Sequence, residues 1–143
     1  MIAIDTNVLV YARREETAHH RRARSLLRKL AEGDEPWALP WPAVYEFLRV
    51  ITHPRIFSPP TGLSIALEDL ESLFRSPSLN LLGEGPAHPE HLRRAVREGR
   101  ATGNLAHDAH IAALAIEHGV TEFWTTDRDF ARFPGLRSRN PFS

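Results

Sequence analysis

The sequence predicts an α/β protein, a three-layer α/β/α sandwich around a central parallel sheet of four to five strands. Two observations carry that expectation. Short apolar runs of strand type are separated by segments with helical spacing, which is the pattern of a parallel sheet covered by helices on both faces. The chain is also the right size: 143 residues, 42% of them hydrophobic, suffice for one compact core, and no Pro/Gly/Ser-rich run divides them. A single domain over 1–143 is therefore expected, and no internal repeat is visible.

Taken in order, residues 1–5 form a short buried strand, and Asp5-Thr6-Asn7 supplies side chains able to cap a helix carrying Val8, Leu9 and Ala12. From His19 to Leu30, Ala23, Leu26, Leu27 and Leu30 recur at helical spacing until Gly33 closes the segment. Trp37-Ala38-Leu39 reads as a second strand. Pro42 stands at a favourable first helical position, and Val44, Phe47, Leu48 and Ile51 continue a helix with Glu46 near its start, which ends before His53-Pro54. Beyond the loop Pro59-Pro60-Thr61-Gly62, the positions Leu63, Ala66, Leu67, Leu70, Leu73 and Phe74 give an amphipathic helix ending near Pro77. Leu79 to Leu82 is a third strand, and Pro89 to Arg100 a basic helix. Asn104 is placed to cap a helix whose Ala109, Ala112, Ala113 and Ile116 face inward until Gly119. Glu122 to Thr125 is a fourth strand, running into Asp127. The tail from Leu136 to Phe142 suggests an edge strand, although Pro134 and Pro141 argue against a long one.

Composition narrows the chemistry. Without cysteine there are no disulfides, zinc–thiolate sites or thiol nucleophiles, leaving histidines and carboxylates as metal ligands and fitting a cytoplasmic protein. The apolar start is broken by Asp5 and is too short to span a bilayer, so the mature chain is expected to begin at Met1, stay soluble and have no membrane partner. A formal net charge of zero means that a polyanion must meet a local basic surface. Arginines crowd residues 13–29 and 93–100, where a solvated helix face is the ordinary explanation of each one alone.

In parallel α/β sheets, sites lie beyond the carboxyl ends of the strands, near the point where strand order reverses. Asp5, Asp127 and Asp129 sit at such ends, and Glu46 and Asp108 fall in helices that follow a strand or loop. Each acid alone is explained by turn chemistry or by the helix dipole. Converging together, they would repel one another and raise each other's pKa unless a cation neutralised them. Oxygen-only ligation suits Mg²⁺ or Mn²⁺, which accept phosphate oxygens as further ligands and make a phosphoester the natural substrate.

These residues stand in fragments that resemble PIN-domain endoribonucleases and, within them, the VapC toxins of bacterial toxin–antitoxin pairs. The fragments are Ile4-Asp5-Thr6-Asn7, Val44-Tyr45-Glu46-Phe47, Gly103 to Ala109 around Asp108, and Thr125-Thr126-Asp127-Arg128-Asp129-Phe130. Thr52 to Phe57 is similar to a segment common in actinobacterial members. The resemblance spans nearly the whole chain. It implies that Asp5, Glu46, Asp108 and Asp127 form a catalytic acidic pocket holding Mg²⁺ or Mn²⁺, with Asp129 as a fifth member outside that cluster of four. Thr6, Asn7 and Thr125 would orient the ligands or the phosphate. It further implies cleavage of RNA, often tRNA or rRNA, silencing by a VapB-type antitoxin, and a homodimer.

Three other readings compete. His53, His107-Asp108 and Asp127 reproduce the bare order of HD-type metal phosphohydrolases, but those proteins are all-helical and would leave Asp5 and Glu46 unexplained. A non-catalytic RNA- or protein-binding module could use the arginine-rich segments, although few aromatic residues are placed for base stacking. A non-toxin PIN-like nuclease is the remaining alternative.

Overall fold

The computed structural model describes residues 1–143 as alternating strands and helices. In chain order these are β1 (Ile2–Ile4), α1 (Thr6–Arg13), α2 (His20–Glu32), β2 (Trp37–Pro40), α3 (Trp41–Ile51), α4 (Leu63–Phe74) and β3 (Leu79–Leu82). There follow α5 (His88–Gly99), α6 (Leu105–Glu117), β4 (Glu122–Trp124), a short 3₁₀ helix at Arg128–Arg132, and β5 (Ser138–Arg139). All pairings are parallel and the spatial order is β3-β2-β1-β4-β5. The chain thus builds leftward from β1 to β3, then returns to the other side of β1. That reversal opens a crevice at the carboxyl ends of β1 and β4.

Period-two alternation along the strands sorts their side chains into two cores. Ile4, Trp37 and Leu39 join Val8, Leu9, Leu27, Val44, Phe47, Ile51 and Leu70 beneath α1 to α4. Ala3, Ala38, Leu82 and Phe123 point the other way, against α5, α6 and the 3₁₀ helix. Both faces are therefore covered, which is why the strands read as continuous apolar runs.

Packing on the second face depends on small residues. Ala3 pairs with Ala38 on one side and Phe123 on the other, and Ala109, Ala112 and Ala113 of α6 are fully buried against this cluster. Side chains of one carbon let the helix backbone approach the sheet closely, and α6 carries Asp108 in its first turn.

Local signals behave mostly as their chemistry dictates. Asp5 is the N-cap of α1 and accepts the Thr6 N–H at 2.8 Å. Gly33 is the C-cap residue of α2, and Gly119 takes a positive φ of 71° just past α6, a conformation without steric cost for glycine. Three details differ from expectation. Asn104 occupies the N-cap of α6 but its side chain makes no capping hydrogen bond. Glu46 lies in the middle of α3, which begins at Trp41 with Pro42 one residue inside. The tail strand shrinks to two residues, Ser138–Arg139, paired with Phe123 and Trp124.

Candidate active site

The site grows from two adjacent strand ends. Asp5 leaves β1 with its backbone N–H bonded to the Trp124 carbonyl at 3.0 Å, so the last residues of β1 and β4 are held side by side. The Thr125 hydroxyl donates to Asp5 Oδ2 at 2.7 Å and accepts from Asn7 Nδ2 at 3.1 Å and from the Asp127 N–H at 3.0 Å. One hydroxyl hydrogen and two lone pairs are all that a threonine offers. All three are used, and they fasten α1, β1 and the segment after β4 at one point.

That segment turns immediately. Asp127 Oδ1 accepts the Asp129 N–H at 2.9 Å and so caps the 3₁₀ helix, whose Phe130 is buried against Phe123. The Asp127 and Asp129 side chains are thereby presented together to α6. One oxygen each from Asp108, Asp127 and Asp129 lie within 4.8 Å of one another. Glu46 faces them from α3 and accepts the Thr6 hydroxyl at 3.3 Å on Oε2. Asn7 Nδ2 also reaches Asp5 Oδ2 at 3.3 Å, and the Tyr11 hydroxyl lies 3.1 Å from Thr126 Oγ1, tying the far end of α1 to the same loop.

Electrostatics follow from this crowding. Asp5 is only 5% exposed, and burial pushes its carboxyl up to about 7 against the pull of the Thr125 and Thr6 hydrogen bonds, with Glu46 and Asp108 raising it further. Asp108, half-buried, is pushed up to about 6, first by burial and then by the charges of Asp127, Asp129 and Glu46, with only His107 opposing. A cation among these groups would reverse both shifts. The clustered donors of Asp108, Asp127 and Asp129, like that of Glu46, are oxygens, the set that hard divalent ions take. The cluster can therefore hold a metal ion.

The structure places the sequence-derived residues in two tiers. Asp108, Asp127 and Asp129 form the close triad, Glu46 stands opposite on α3, and Asp5 lies on the floor with both oxygens occupied by protein donors. Asp129, read from sequence as the marginal member, stands in the triad itself. Thr6 contacts Asp5 and Glu46, Asn7 contacts Asp5, and Thr125 contacts Asp5 and Asp127. The cleft wall also includes Tyr45, Arg49 and Asn104, which sequence reasoning did not single out as site residues. For Arg49 the signal was its position three residues after Glu46, on the same helical face.

Much of the arginine excess is structural. Arg13 grips Asp69 with two nitrogens, Arg14 contacts Glu16, Thr61 and the Pro59 carbonyl, and Arg22 donates to the Phe142 carbonyl. Arg24 and Arg28 remain along a separate groove of about 280 Å³ between α1, α2 and α4. His53, the first histidine of the HD-type reading, caps a turn by accepting the Arg55 N–H, and the five-stranded sheet rules out that all-helical fold.

Fold and cleft together define a class: parallel α/β proteins whose strand ends gather carboxylates able to hold an oxygen-coordinated divalent cation. The chain belongs to the PIN domain family, whose model matches residues 2–136. Its curated relatives are VapC ribonucleases. It is 35% identical over 139 residues to Ribonuclease VapC48 of Mycobacterium tuberculosis, covering 97% of this chain and 96% of that protein. With VapC ribonuclease Mb2897 of Mycobacterium bovis the identity is 40% over 141 residues, covering 99% and 95%. Among solved structures, the fold matches VapBC2 from Rickettsia felis bound to a promoter DNA fragment, with a TM-score of 0.65, 21% identity and 98% coverage of both chains. It also matches Mycobacterium tuberculosis VapC20, described as a sarcin-ricin loop cleaving toxin, with a TM-score of 0.65, 18% identity and coverage of 96% and 99%. No helix is long and apolar enough to cross a membrane.

Proposed function

We propose that this protein is the toxin of a type II toxin–antitoxin pair, an endoribonuclease that hydrolyses RNA phosphodiester bonds with Mg²⁺ or Mn²⁺. The observation that carries the reading is the triad of Asp108, Asp127 and Asp129 oxygens within 4.8 Å, backed by Glu46 and by Asp5 on the floor. Asp108, Asp127, Asp129 and Glu46 would hold the ion, and Asp5 would complete the negative field beneath it. When bound, such an ion polarises a phosphate oxygen and makes a water molecule more acidic.

The chain's own groups do the rest. The chain has no cysteine, and the threonine hydroxyls of the site, Thr6 and Thr125, are bonded to Glu46 and Asp5, so water is the attacking group. Thr125 and Asn7 keep the Asp5 carboxylate and the Asp127 backbone in register, and Arg49 on the cleft wall is placed to meet a phosphate.

The VapBC character of the solved neighbours supports a VapB-type antitoxin as partner, and the VapC ribonuclease names support RNA as substrate, with tRNA or rRNA the expected target. The remaining parts of the proposal are a single domain, a cytoplasmic location and a homodimer. Light scattering on the purified chain reads the dimer directly.

The decisive experiment incubates total and synthetic RNA with purified protein in Mg²⁺, in Mn²⁺ and in excess EDTA, beside Asp127→Asn. Cleavage with either ion, none in EDTA and none by the folded variant is the expected result. Cutting that persists in EDTA, or at wild-type rate in Asp127→Asn, overturns the reading.

A further inference from the structure

A second cluster of metal-ligating side chains lies outside the acidic triad. Glu84, in the connection between β3 and α5, His88, at the start of α5, and His110, on α6, bring one ligand atom each within 4.8 Å of one another. Three separate elements converge, so the cluster is a product of tertiary packing rather than of sequence adjacency.

The details have the build of a metal site. His88 is 8% exposed, and its Nδ1 lies 2.7 Å from Oε1 of Glu117, whose own side chain is 6% exposed. The other Glu117 oxygen accepts the Gly85 N–H at 3.0 Å, which fixes the carboxylate in place. An ionised carboxylate only accepts, so Nδ1 carries a proton, and in the neutral ring that a metal binds the lone pair is on Nε2. A histidine held through one nitrogen by a carboxylate, with the other free, is the arrangement that accompanies metal-bound histidines.

His110 completes the geometry. Its ring stands edge-on to that of His88, with centroids 5.5 Å apart and planes at 67°. Two imidazoles sharing one tetrahedral ion at about 2.0–2.1 Å per bond have ring centres roughly 5 Å apart. In the metal-free chain His110 Nε2 donates its proton to Glu84 Oε1 at 2.7 Å; a bound ion takes that proton's place between the two groups, with the ring proton shifting to Nδ1. The Glu84 side chain is 53% exposed, which leaves a further coordination position open to water.

We propose that Glu84, His88 and His110 form a second cation site, taking Zn²⁺ through two imidazole nitrogens and one carboxylate. Its donor set differs in kind from the oxygen-only cleft: imidazole favours zinc, whereas Mg²⁺ prefers oxygen. The bound ion cross-links the β3–α5 connection to α6 two residues beyond Asp108, and His110 also lines the acidic cleft. Zinc at this point therefore braces the helix that presents Asp108.

The test uses the full chain carrying Asp127→Asn and Asp129→Asn, so that the acidic triad does not compete for the ion. Zn²⁺ is titrated by calorimetry, with and without millimolar Mg²⁺, and thermal unfolding is followed with and without Zn²⁺. One Zn²⁺ per chain, indifferent to Mg²⁺, with a rise in Tm, is expected. Adding His110→Ala or, separately, Glu84→Gln should weaken binding by at least about tenfold, the loss that removal of even an outer partner produces. Both side chains are solvent-accessible, so metal-free melting of either variant should match that of the parent. Absence of Zn²⁺ binding, or equal affinity in the parent and in both variants, overturns the proposal.

Discussion

Removing the divalent ion should make this protein less stable as pH rises through neutrality, because Asp5 is buried beneath other carboxylates. Its carboxyl moves from an ordinary value of 3.8 in the unfolded chain to about 7 in the folded one. Across that window the folded state keeps a proton that the unfolded state has released. Stability is therefore highest below the unfolded value and falls as pH rises toward the folded one. The full shift corresponds to about 4 kcal/mol, of which somewhat more than half falls between roughly pH 5 and pH 8. Asp108 adds a contribution of the same sign, damped by its exposure to solvent. Glu16, Glu84, Glu117 and Glu122 are held below the usual carboxylate value, so their opposing effect is confined to more acidic solution.

The assay is urea unfolding in EDTA at several pH values. Wild type should lose stability from about pH 5 to pH 8, and saturating Mg²⁺ should flatten the profile. Asp5→Asn should remove most of the slope. It should not return the full free energy, since its amide turns an NH₂ toward either the Thr6 N–H or the donors from Thr125 and Asn7. A metal-free profile that is flat, or that rises toward pH 8, refutes the assignment of a buried, destabilising charge at Asp5.

Two further outcomes follow from the packing around the site. Thr125→Val removes the hydroxyl shared by Asp5, Asn7 and Asp127, and should cost about 1–3 kcal/mol in urea unfolding. In RNA cleavage the same variant should lower kcat more than it changes KM; unchanged kcat would show that Thr125 does not position the acids. Gly99→Ala gains up to about 1 kcal/mol of helix propensity, but its Cβ would fall 2.3 Å from a ring carbon of the buried Phe133. Net destabilisation of about 1–3 kcal/mol is expected, with folded protein still cleaving RNA; a raised Tm would mean that the ring moves freely.

How much of this was legible beforehand depended on whether the signal was local. Asp5 could be placed at a strand end because Ile2 and Ile4 are followed at once by a capping residue, and the fold confirms both features. The helices from α2 to α6 announced themselves by spacing. The closeness of Asp129 to Asp108 and Asp127 is not legible in the sequence, because it depends on a 3₁₀ turn, which Asp127 caps and Phe130 anchors, and such turns have no sequence period. The saturation of Thr125 was equally hidden, since its three partners come from residues 5, 7 and 127. The basic segment 13–29 misled in part, because Arg13, Arg14 and Arg22 fasten the fold through long-range contacts.

The alanine surface under α6 has a consequence for how such a protein can vary. Alanine has no side-chain rotamers to lose, so seating Ala109, Ala112 and Ala113 over Ala3 and Ala38 adds no side-chain entropy cost at those contacts. The height of Asp108 above the sheet then rests on these one-carbon contacts, with Ile111, Leu114, Phe123 and Phe130 buried around them. Any larger residue at 109, 112 or 113 would lift the carboxylate away from Asp127 and Asp129. Loops and arginines around the cleft are free to diverge toward new RNA targets while this spacer stays the same thickness.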